Sequence, residues 1–216
     1  GILKYVNDKT TYRTSEVILD RVLTVLEKND QSEADMIESL KADYIVRARA
    51  VSYILDAKPE AELDVDELQR IAKLISVDEI HLLDRTGMIY SGTLPKYFGY
   101  NFDTGAQMAY FKPMLTDKQL SMCQDVTPNT AEGKEMMYAI VWNSSGTAMI
   151  QIGITPSRLL AKMNSASVEN LVRQMPITSG MNIFLLNATT GKMLATTRQD
   201  VLLYELQDSD RLEEGN

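Results

Sequence analysis

The sequence predicts an α+β protein: a long N-terminal helix, a five-stranded antiparallel sheet with helices on one side, and the start of a second module of the same kind. Three observations carry this reading. Residues 2–58 contain neither glycine nor proline and place apolar side chains at helical spacing. The segments Ile80–Thr93 (IHLLDRTGMIYSGT) and Ile183–Thr197 (IFLLNATTGKMLATT) repeat one β-hairpin pattern about a hundred residues apart, a period that suits two copies of a module and not a solenoid of short units. After the first copy, a loop and helix are followed by three β-rich runs, an order that makes an antiparallel sheet with segregated helices.

The helix carries its apolar positions at Ile18, Val22, Val25, Met36, Leu40, Tyr44, Ala48, Val51 and Leu55, in steps of three and four once a polar gap is bridged. Continuous from about Ser15 to Asp56, it would be roughly 60 Å long at 1.5 Å per residue, more than a small domain can bury. The gap, Lys28–Asp35 (KNDQSEAD), is expected to be solvated helix, with a local break at Asn29-Asp30 as the alternative.

Beyond Pro59, Asp64 or Asp66 can cap a short helix over Glu67–Leu74 whose apolar face is Leu68, Ile71, Ala72 and Ile75. In the hairpin that follows, Asp84 supplies a side chain that bonds its own turn and Gly87 supplies positive φ; Asn187 and Gly191 do the same in the second copy. A loop over 94–103 and a helix over about 104–115 come next. Strands follow over 119–125, 135–142 and 147–154, the last two joined by the turn Asn143-Ser144-Ser145-Gly146. Pro156 can open a connecting helix toward Gln174, where its missing N–H is harmless. About thirty-five residues remain from Met181 onward, too few for a second full copy, so that module is expected to be incomplete or reduced, with an acidic tail over 208–216 that frays. The domain reading is a long helix over 1–58, a module over 59–160, a connecting helix over 161–180 and the start of another module over 181–216.

Composition excludes several functions. A net charge of −8 and a pI near 4.8 leave no clustered Lys and Arg to wrap a nucleic-acid backbone, so no nucleic-acid partner is expected. Cys123 is the only cysteine, which rules out an intrachain disulfide. Nowhere do eighteen apolar residues run together, so these residues are expected neither to cross a membrane nor to include an export signal. The single histidine, His81, lies in the first hairpin on the face opposite Ile80 and Leu82, and reads as a surface or half-buried side chain, not a catalytic one. Phosphate loops, His-Glu-x-x-His, Cys pairs and Gly-x-Ser-x-Gly are absent. No catalytic residue, metal or cofactor is assigned and no enzymatic activity is expected. A hydrolase using paired carboxylates, Asp103 and Asp125, is the enzymatic alternative.

The stretch Tyr97–Met114 (YFGYNFDTGAQMAYFKPM) holds six aromatic residues in a chain that averages 7%. Aromatic rings give broad, rigid walls to a small-molecule pocket, and a few polar groups orient the ligand. The candidate ligand-binding residues are Asp103, Gln107, Tyr110, Phe111, Gln124, Asp125 and Tyr138. The competing reading is that Tyr110, Phe111 and Met114 simply pack the helix onto the sheet. The twelve methionines are read as core filling.

Taken together, the long helix, IHLLDRTGMIYSGT, TLPKYFGYNFDTGAQMAYFKPML, QDVTPNTAEGKEMMYAIVW and MIQIGITPSRLL resemble a Cache-type extracellular sensor domain, over about residues 10–160. Met181–Glu205 resembles the start of a second, membrane-proximal module. The resemblance implies a PAS-like fold, often doubled in tandem on one long helix, and extracytoplasmic small-molecule sensing in a membrane-tethered bacterial receptor. Its output would be a histidine kinase, a diguanylate cyclase or a chemotaxis signalling domain, and its partner a second copy docked through the N-terminal helix. In amino-acid-binding members an Arg-x-Trp-Tyr run holds the ligand; this chain has Met108-Ala109-Tyr110-Phe111 there, which lacks the arginine and counts against amino-acid sensing. The alternative is a structural or dimerisation module of such a receptor that binds no ligand.

Overall fold

Tyr12–Ala57 forms one unbroken helix, α1, in the computed structural model, which describes residues 2–6, 12–173, 183–187, 190, 193–196 and 212–215. The polar gap does not break it. With no glycine or proline in the gap, side chains such as Gln31, which donates from Nε2 to Asp35 Oδ1 at 2.9 Å, bridge one turn to the next. Tyr44, Ala48, Val51 and Leu55 are buried in the expected stripe, while Val25 is exposed. The chain divides into two compact units, 36–157 and 1–35 with 158–216.

In the 36–157 unit, α1 ends in a turn at Pro59–Ala61 and α2 covers Val65–Ile75. Asp64 caps α2, its carboxylate accepting from the Glu67 N–H at 3.1 Å, and Leu68, Ile71 and Ala72 form the buried face. The hairpin joins β2 (Glu79–Leu83) to β3 (Ile89–Gly92). Asp84 Oδ1 accepts from Thr86 N at 2.8 Å and Met88 N at 3.1 Å, and Gly87 turns at φ +86, as expected. A Cβ on Gly87 would meet the Phe102 ring at 2.5 Å, so the site needs glycine twice over.

The next segment differs from the expected single helix over 104–115. It is a turn at Pro95–Tyr97, one helical turn α3 (Ala106–Ala109) and a further turn at Lys112–Leu115. Pro113 prevents a continuous helix by removing a donor. The expected strand over 119–125 is shorter, β4 (Met122–Cys123), with Gln124 N also donating to Tyr138 O at 2.9 Å; beyond it β5 (Thr127–Pro128) pairs with Met136 and Glu135. With β6 (Glu135–Trp142) and β7 (Met149–Ile154), the antiparallel sheet has six strands, one more than expected, in the order β3-β2-β7-β6-β4 with β5 also on β6. β5 tolerates its proline because it lies at an edge.

Alternation gives this sheet two buried faces. One carries Ile80, Leu82, Ala139, Val141, Ile150 and Ile152. α2 packs on β2 and β3, and Arg47, Arg49 and Asp56 of α1 bond to Ser76, Ser121 and Ser144. The other face packs Leu83, Ile140, Trp142 and Met149 against Tyr97, Phe102, Met108, Phe111 and Met114. The segment over 94–115 therefore covers the face opposite α2, so the secondary structure is not all on one side.

In the other unit, Ile2–Val6 is a strand, β1, and not the start of the helix. The absence of glycine and proline permits either state, and ILKYV is rich in β-forming residues. α4 (Ser157–Ser165) and α5 (Val168–Arg173) follow the first sheet, where a single connecting helix was expected; the remainder of that helix, 174–180, lies outside the described residues. β8 (Ile183–Asn187) and β9 (Met193–Thr196) form the second hairpin, whose turn, including Gly191 and apart from Thr190, lies outside the described residues. β10 (Leu212–Gly215) is a paired strand, not a frayed tail, and the sheet order is β10-β1-β8-β9. Both hairpins shift register at the same place, between Leu82 and Leu83 and between Leu185 and Leu186. Phe184 thus stands where His81 stands in the first copy. Among the described residues no helix is long and apolar enough to cross a membrane.

Candidate functional site

A row of polar side chains crosses the second sheet face. Alternation along β2 puts Glu79 and His81 on the side of Leu83, and the register sets Gln151 beside His81 and Gly153 beside Glu79. Across Gly153 lies Tyr138 of β6. A Cβ at Gly153 would sit 2.5 Å from Tyr138 Cε1, so glycine there is what lets the tyrosine ring lie over β7. Tyr138 then donates to Glu79 Oε2 at 2.9 Å, and His81 Nε2 lies 2.8 Å from the same oxygen. Glu79, His81 and Gln151 are all buried. Burial and the adjacent Glu79 charge push the Tyr138 hydroxyl well above the usual phenol range, so it stays a donor.

Two segments roof this row. Tyr97 and Tyr100 come from the loop after the hairpin, their rings 5.6 Å apart. The Tyr97 hydroxyl donates to Glu132 at 2.9 Å; burial and this bond raise its pKa, while bonds from Lys96 and Tyr97 lower that of Glu132. The loop over 129–134 is pinned by Asn129, whose Oδ1 accepts from Glu132 N at 2.9 Å and Lys134 N at 3.1 Å. Gln107 ties α3 to that loop, accepting from Thr130 N at 3.2 Å and from its hydroxyl at 3.1 Å.

Between row and roof is a cavity lined by His81, Tyr97, Gln107, Asn129, Tyr138 and Gln151, among others. It is nearly shut. The centres of water-sized molecules have about 20 Å³, room for one or two waters. His81 Nδ1 and Gln151 Nε2 are buried with no hydrogen-bond partner.

Of the residues expected to bind a ligand, Gln107 and Tyr138 line the cavity. Gln124 sits behind Gln107, accepting from its amide at 3.2 Å, and so orients it. The other four lie elsewhere. Asp103 is exposed and pairs with Lys112 at 2.8 Å; Asp125 is exposed and pairs with Lys41 at 2.5 Å. Tyr110 is exposed with its ring against Phe111, and Phe111 is fully buried in the core. Sequence reasoning missed His81, Gln151, Glu79 and Asn129. The available signal was a lone polar residue in an apolar strand, Gln151 in MIQIGI, and an acid two residues before a histidine, which shares its face.

No protein-family model and no curated protein matches the chain. Solved structures do. The sensor domain of the V. cholerae histidine kinase DctB aligns at 15% identity and a TM-score of 0.46 over 69% of this chain and 60% of that one. The ligand-binding domain of the Campylobacter jejuni chemoreceptor Tlp3, solved with 4-methylisoleucine, aligns at 14% identity and a TM-score of 0.46 over 93% and 77%. The Bacillus subtilis YkuI protein, which has an EAL domain, aligns at 12% identity and a TM-score of 0.47; the chain covers 36% of its length. The chain spans 60% of the DctB sensor-domain chain and about a third of the YkuI chain.

Proposed function

We propose that this chain is an extracytoplasmic small-molecule sensing domain of a bacterial signal-transduction receptor. The observation that carries it is the small cavity whose lining side chains include two buried, unpartnered polar groups, His81 Nδ1 and Gln151 Nε2. A buried polar group left unpaired costs about 1–3 kcal/mol, which a ligand recovers by pairing it. In this reading residues 59–160 are the membrane-distal, ligand-binding module and 181–216 belong to a membrane-proximal one. The protein is tethered to the membrane and dimerises through α1, on which Val46 and Tyr53 are exposed. The ligand undergoes no chemistry. It parts and then orders the roof over 94–131, and by binding one arrangement of α1 against the partner more tightly it shifts their balance.

Thermal-shift titration of the wild type and Gln151→Leu with a panel of polar metabolites tests this. At a concentration near a hundred times its Kd, at least one compound should raise the wild-type Tm by about 5–10 °C and lose most of that effect in the variant. The small cavity favours a second reading, a structural or dimerisation module closed by its own side chains. A panel without effect, together with a dimer that light scattering shows dissociating in Val46→Glu/Tyr53→Glu, would select it.

A further inference from the structure

Resting on the ligand-binding reading, we infer that the cavity selects a protonated amine carrying a neighbouring hydroxyl or carbonyl, and rejects carboxylates. None of its lining residues is Lys or Arg, so nothing there balances an anion taken out of water. On the roof, Lys96 lies 5.2 Å over the Tyr97 ring but is paired with Glu132 and largely exposed.

The charge beneath the cavity is instead negative. Glu79 is only 6% exposed, and as a carboxylate it can only accept hydrogen bonds. Tyr138 Oη and His81 Nε2 approach the same Glu79 oxygen, at 2.9 Å and 2.8 Å, so both point their hydrogens at it. This fixes what they offer on their other sides. The tyrosine oxygen already accepts from Asn129 Nδ2 at 3.4 Å, whereas an imidazole with its proton on Nε2 presents Nδ1 as an acceptor. Nδ1 is buried and unbonded.

Nδ1, with the buried Glu79 carboxylate on the other side of the ring, therefore lies beneath a roof of tyrosine rings, whose π faces attract cations. That arrangement suits an ammonium group. Gln151, opposite His81 in the register, brings an amide whose Nε2 lacks an acceptor, and a hydroxyl or carbonyl next to the ammonium supplies one.

The test is thermal titration of the intact chain with four probes: ethanolamine, tetramethylammonium, acetamide and acetate. Ethanolamine should stabilise most, tetramethylammonium less because it has no N–H, and acetate not at all. In Glu79→Gln the ethanolamine concentration at half effect should rise at least tenfold. His81→Phe, which copies Phe184 of the second hairpin, removes the Nδ1 acceptor while filling its space, and should weaken ethanolamine similarly if Glu79→Gln does not fold. Acetate or acetamide outcompeting ethanolamine would overturn the inference and leave the sensing function standing, as would ethanolamine binding that ignores both substitutions. If neither these probes nor the wider panel moves the Tm, the ligand-binding reading fails and the inference with it.

Discussion

At Gly153 the absence of one methyl group lets a tyrosine reach a buried carboxylate across a neighbouring strand. Gly153→Ala would force its Cβ against Tyr138, 2.5 Å from Cε1. It should lower stability in urea by about 1–3 kcal/mol, the usual range for overpacking. The same row shows the limit of residue-level reading. His81 is isolated in the sequence, and its burial and its pairing with Glu79 depend on which strand lies alongside. For Phe111 the reading as core packing is the one its full burial fits, and Tyr138 lines the cavity. Phe111→Ala should cost about 3–5 kcal/mol by cavity formation, while Tyr110→Ala, exposed beside it, should stay within about 0.5 kcal/mol, both measured by chemical denaturation.

The elements were more legible than the residues they position. α1, α2, both hairpins and β6 follow from periodicity, capping and turn chemistry. In the first hairpin the balance of forces on Asp84 can be checked by pH. Burial pushes its carboxyl up, but bonds from Thr86, Met88 and Gly87 outweigh that and hold it below the usual carboxylate value. A depressed folded pKa stabilises fully above the unfolded value, about 3.9, and the gain is lost as pH falls through the folded one. The stability advantage of the wild type over Asp84→Ala should therefore be full at neutral pH and shrink below about pH 4, read from urea curves across that range. The segment over 94–115 was the least legible. Its aromatic residues signalled burial, but a helical period cannot reveal that Pro113 and the loop geometry leave only one turn of helix.

For the whole molecule, the decisive departure is β1, which lies between β8 and β10 and pairs Leu3 with Leu186 and Glu214. Removing residues 1–6 should strip that pairing and speed amide exchange over Ile183–Asn187. The sequence by itself determined the α+β class, the long helix and the repeated hairpin, because spacing and turn residues act locally along the chain. Only tertiary structure decided that the N-terminal residues complete the second sheet. It alone brought Glu79, His81, Tyr138 and Gln151 into one row. Strand pairing joins residues far apart in the chain, and the register that sets their neighbours comes from packing a whole face at once.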